Sequence, residues 1–111
     1  MAEHGPWTDV RVVLVTAPDG PTAETLVRRL LDERLVVCGN ILPGVTSIYR
    51  WRGEVQQDSE VLVVLKTHED LVAPLVRRVP ELHPYEVPEV LALPVVGGHR
   101  PYLDWVRSAG M

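Results

Sequence analysis

The stretch "EVLVVLKT" (60–67) carries apolar side chains on both faces of any strand it forms: Val61, Val63 and Leu65 on one, Leu62 and Val64 on the other. "VRVVLVT" (10–16) repeats this, with Val10, Val12 and Leu14 opposing Val13 and Val15. So does "EVPEVLALPV" (86–95), with Val87, Leu91 and Leu93 opposing Val90 and Ala92. A sheet built from such strands has to be covered on both sides. Only two long amphipathic stretches stand between them. "PTAETLVRRLLDER" (21–34) places Leu26, Val27, Leu30 and Leu31 at helical spacing behind Pro21, which suits a first turn. "HEDLVAPLVRRVPEL" (68–82) does the same with Leu71, Leu75, Val79 and Leu82. Its acids come early and its arginines late, as the helix dipole favours, and Pro74 allows a kink or a late start. "LVVCGNI" (35–41), closed by "LPG", reads as a strand. "VTSIYRWRGE" (45–54) continues extended, with Tyr49 and Trp51 on one face and Arg50 and Arg52 on the other. "GEVQQDS" (53–59) reads as a polar turn and "PYLDWVRS" (101–108) as a short helix opened by Pro101.

The order β-α-β-β-α-β plus a tail helix predicts a ferredoxin-like α+β sandwich with right-handed crossovers. One domain is expected over 9–109, behind a disordered tail at 1–8. Two helices cover one sheet face. The other face is therefore expected to be buried in an obligate homo-oligomer. A chain of 111 residues, 46% hydrophobic, is long and apolar enough for one core. Its net charge of −4, with no basic block, argues against nucleic acid or an anionic membrane as partner. The first and third strands also lack the stacking aromatics that RNA recognition uses. No apolar run approaches the ~20 residues of a membrane span. "MAEHGPWT" is neither basic nor apolar enough for a signal peptide, and a single cysteine, Cys38, fits a reducing cytoplasm.

Chemistry centres on "ELHPYEVPEVLALP" (81–94). His83 precedes a proline, which pushes it out of helical geometry. It is either the terminator of the second helix or a ligand or proton-transfer group. In an extended segment Glu86 and Glu89 fall on opposite faces, so they cannot both join His83. Glu89 shares its face with Val87, Leu91 and Leu93 and needs a partner if buried, for which Lys66 or an arginine of a neighbouring subunit is available. Cys38, mid-strand, is a small buried side chain or a thiol awaiting a basic neighbour. Tyr49, Trp51 and Tyr85 are core or interface aromatics or the wall of a cleft. If Met1 is removed, the chain begins Ala2-Glu3-His4, whose amine, amides and imidazole can wrap Cu(II) or Ni(II) in a square plane.

Three blocks resemble one known family. "CGNILPGVTSIYRWRGE" (38–54), "VLVVLKT" (61–67) and "ELHPYEVPEVLALPV" (81–95), with "VTAPD" (15–19) and "YLDWV" (102–106), are similar to the CutA divalent-cation tolerance proteins over about residues 10–107. The resemblance implies a ferredoxin-like fold and a tight homotrimer similar to the P-II signalling proteins. It also implies a cytosolic protein linked to tolerance of copper and other divalent cations; a non-enzymatic role, with no cofactor needed for folding, is the reading expected here. Copper-binding members have a Cys late in the first strand and a second His before His-Pro-Tyr. The matching positions here are Val15 and Leu82, which leaves His83. Metal ligands are then expected among His83, Glu89, Glu86 and Cys38, completed across subunits, with Lys66, Tyr49, Trp51 and Tyr85 shaping the cleft. The alternative is a P-II-like sensor holding a small organic ligand or nucleotide between subunits, although no Gly-rich phosphate loop is present. Neither a Ser-His-Asp nor a Cys-His spacing supports an enzyme. A partner protein is not readable from the sequence.

Overall fold

The computed structural model describes residues 7–109. Its elements are β1 (Val10–Ala17), α1 (Gly20–Asp32), β2 (Cys38–Trp51), β3 (Glu54–His68), a 3-10 turn (Glu69–Leu71), α2 (Val72–Leu82), β4 (Leu91–Pro94) and α3 (Arg100–Ala109). All pairings are antiparallel, in the order β2-β3-β1-β4. This is the interleaved arrangement of two split β-α-β units anticipated from the element order. Residues 1–6, and with them the Ala2-Glu3-His4 motif, lie outside the described residues. Thr8 donates both its N–H and its hydroxyl to the Val95 carbonyl.

The core lies between one sheet face and the helices. Val13, Val15 and Ala17 of β1 and Val61, Val63 and Leu65 of β3 pack with Ala23, Leu26, Val27 and Leu30 of α1 and Leu75 and Val79 of α2. α1 starts where Asp19 accepts from the Thr22 N–H at 2.8 Å. It stops at Arg34, which takes φ 60° and lets Leu35 N–H reach back to the Leu30 carbonyl, a Schellman closure. At Gly39 an added Cβ would lie 2.8 Å from Val27 Cγ1, so this glycine is what lets α1 approach β2.

The opposite face is apolar too. Register aligns Leu93, Val12, Lys66 and Cys38 in one row across the sheet, and Leu91, Leu14, Val64 and Asn40 in the next. α3 covers only one corner of it, where Leu103 and Val106 bury Val10. Leu91 stays 56% and Leu93 43% exposed.

Three sequence expectations are corrected. "LPG" does not end a strand: Pro43 and Gly44 (φ 79°) form a bulge between Leu42 and Val45, and β2 runs on to Trp51. "GEVQQDS" is not a turn but the first part of β3. The turn is Arg52-Gly53 alone, both at positive φ as a type I′ hairpin requires. The fourth strand spans four residues, not the whole of 86–95.

α1 and α2 are joined by Glu33, which accepts from Arg78 Nε and Nη2 at 2.8 Å each and from Arg29 Nε at 2.7 Å. The Arg78 hydrogen bond, with Arg29 adding, pulls the carboxyl from 4.5 down to about 2. A depressed acid stabilises the fold above its unfolded value and loses that contribution as pH falls through the folded one. The melting difference between wild type and Glu33→Gln is therefore expected to be full near neutral pH. It should close as pH falls from 4.5 toward 2, followed by circular dichroism.

Candidate functional site

His83 caps α2 in an extended conformation and is only 8% exposed. Its Nδ1 accepts from the Tyr85 N–H at 3.1 Å, so Nε2 carries the proton and donates to the Thr16 carbonyl at 2.7 Å. The imidazole is thus a neutral bridge from the end of α2 to β1, packed on the Tyr85 ring at 4.7 Å. Tyr85 in turn donates to Glu60 Oε2 at 2.6 Å. Burial, then the Glu60 carboxylate, with Asp58 and Tyr49 adding, pushes its phenol above the ordinary 10.0. Tyr49 donates to Asp58 and is raised by that bond first. Two phenols and two carboxylates therefore meet where the β2–β3 hairpin passes the loop after α2. Arg52 Nη2, at the hairpin tip, reaches Glu86 at 3.1 Å.

The expected ligand set does not converge. His83 has both ring nitrogens engaged, and Glu86 faces Arg52. Glu89 is exposed and lies before β4, so the alternation that separated it from Glu86 does not apply. Cys38 sits under α3 against Tyr102, whose phenol is pushed up by burial and by its contact with the thiol. Among the described residues, no three His, Cys, Asp or Glu side chains are grouped to hold a metal ion. A metal centre within one chain does not fit these residues.

The expected cleft is only half assembled. Tyr49 and Tyr85 come together. Lys66 donates to Asn40 Oδ1 rather than to Glu89, and Trp51 lies at the hairpin tip with Arg52 5.3 Å from its ring. Sequence reading does not single out Thr16, Asp58 or Glu60. Thr16 acts through its backbone, which no side-chain pattern reveals. The one signal for Glu60 is its phase: it precedes Leu62 and Val64 at even positions of β3, and it is buried.

A family model described as "CutA1 divalent ion tolerance protein" matches residues 11–109. The divalent-cation tolerance protein CutA of Thermus thermophilus is 52% identical over 97 residues, 87% of this chain and 94% of that protein. Protein CutA of Homo sapiens is 47% identical over 99 residues, 89% of this chain but 55% of the human protein. In structure, the chain is similar to the Thermus thermophilus divalent cation tolerance protein, with TM-score 0.87, 50% identity and coverage of 90% and 97%. It is also similar to the periplasmic divalent cation tolerance protein CutA from Archaeoglobus fulgidus, with TM-score 0.88, 29% identity and coverage of 92% and 99%. A match from the second residue of β1 to the last residue of α3, at half identity and with the same fold, makes this chain a member of the CutA1 divalent ion tolerance protein family.

Proposed function

We propose that the protein serves divalent-cation tolerance as a non-enzymatic cytoplasmic homotrimer, with copper among the ions it answers to. The observation that carries this reading is the family match over 11–109, with a relative at 52% identity named for divalent-cation tolerance. The trimer is supported by the sheet face that α1 and α2 leave bare. No described helix is long and apolar enough to cross a membrane. Relatives named chloroplastic and periplasmic occur, so the cytoplasmic placement rests on the lone Cys38. Because donors do not converge among the described residues of one chain, ion capture is assigned between copies, drawing on Glu86, Glu89 or Cys38 of more than one of them, or on His83 once its Nδ1 gives up the Tyr85 N–H.

The test is calorimetric titration of Cu(II) into wild type, His83→Ala and Glu86→Gln. Loss of one ligand is expected to weaken binding by at least the about 10–100-fold that loss of an outer-shell partner costs. No heat with wild type would reject copper as the ion. Equal affinity in all three proteins would reject these residues as ligands.

A further inference from the structure

The β1–β4 ladder ends at Leu14–Leu91, although β1 itself runs on to Ala17. Continued in the same register, Thr16 would face Glu89 and Ala17 would face Pro88. The Val10 carbonyl accepts from the Val95 N–H, so it points toward the β4 edge. Backbone groups two residues apart along a strand point the same way, and the Thr16 carbonyl therefore faces that edge as well. It is the acceptor that a longer β4 would use for the Glu89 N–H. In this structure the His83 imidazole takes it.

The sequence beyond is ready for the longer strand. Pro88 would meet Ala17 at a position where its nitrogen faces away from β1. Pro94 holds the same phase against Arg11, and a missing N–H is tolerated there. In that strand Glu86 and Val90 would share one face and Val87 and Glu89 the other.

We propose that residues 86–90 are a latent extension of β4, held off β1 because His83 Nε2–H competes with the Glu89 N–H for the Thr16 carbonyl. The fold then has two arrangements of one loop. In the latched one, Glu89 is free of the sheet. In the zipped one, Glu89 joins Leu91 and Leu93 on the face away from α1 and α2, while Val90, which already packs against the helix-side core, keeps the phase of Ala92. One side-chain hydrogen bond thus sets where a carboxylate is presented.

Amide hydrogen exchange by NMR tests this. In wild type, the Glu89 N–H is expected to exchange at least about tenfold faster than that of Leu91. In His83→Phe, which keeps a ring but has no donor, it should slow to near the Leu91 rate. A through-hydrogen-bond coupling from the Glu89 nitrogen to the Thr16 carbonyl carbon should also appear. In His83→Gln, whose amide can still donate, the fast rate should persist. Glu89→Pro cannot zip, and in the wild-type background it should melt within about 2 °C of wild type, because that N–H is idle. Slow exchange at Glu89 in wild type, fast exchange in a folded His83→Phe, or a large loss of melting temperature in Glu89→Pro would each overturn the proposal. The last readout decides even where the Phe variant does not fold.

Discussion

Leu93→Arg is expected to leave the single chain folded and to abolish the self-association proposed above. Leu93 lies in β4, 43% exposed on the sheet face that neither α1 nor α2 covers, beside Val12 in register. β4 is an edge strand, and a charged side chain on an exposed edge position is well tolerated in one chain. Between two copies the same guanidinium would be buried without a counter-ion. Desolvating it costs several kcal/mol per ion even after relaxation, or about 3–5 kcal/mol for each unpaired copy. In a trimer that penalty recurs at every symmetry-related position. Sedimentation velocity should therefore show a single-chain species for the variant and a larger one for wild type. Near-identical far-ultraviolet dichroism would confirm that the fold survives. A variant that sediments with the wild type would place the contact elsewhere, and a monomeric wild type would remove the trimer altogether.

The second large effect is within the chain. Gly39→Ala is expected to cost about 1–3 kcal/mol, measured by urea unfolding. Gly39 does not have a left-handed backbone, so the cost is steric. The new Cβ would lie 2.8 Å from Val27 Cγ1, 3.0 Å from Val27 Cγ2 and 3.1 Å from Leu65 Cδ2. Val27 is β-branched and sits mid-helix in α1, where one χ1 rotamer dominates, so it cannot swing aside. Val27→Ala should then rescue much of the loss, giving a coupling of about 1 kcal/mol between the two sites. Strict additivity would show that the helix moves as a body instead.

The elements were legible because their burial is strong. Val13, Val15, Val63 and Leu65 face the helices in the phase the sequence sets, and Leu26, Val27 and Leu30 face them back. Boundaries failed where burial stops. Glu54–Ser59 pairs along β2 without needing an apolar face, so its polar composition looked like a turn. Pro43-Gly44 carries stop chemistry, but a bulge absorbs both residues without ending the strand. The 86–95 segment reads as a strand and is one only over four residues, because the competition for the Thr16 carbonyl is between a side chain and a distant backbone group. The candidate site was legible as residue types and not as partners. Tyr85 meets Glu60 and Arg52 meets Glu86 across 25 and 34 residues, a separation that local pattern does not span.

The bulge at Leu42–Val45 also divides the molecule mechanically. On one side, β2 and β3 rest on the helices. On the other they form a two-stranded ribbon, and the buried core of β3 begins only at Val61. Such a ribbon is marginal by itself in water. Arg50 and Arg52 at its tip are exposed cleavage points for trypsin. Nicking there is thus a built-in gauge of whether the ribbon is sheltered. Fast cleavage marks a solitary chain, and slow cleavage marks one whose ribbon lies against a neighbour.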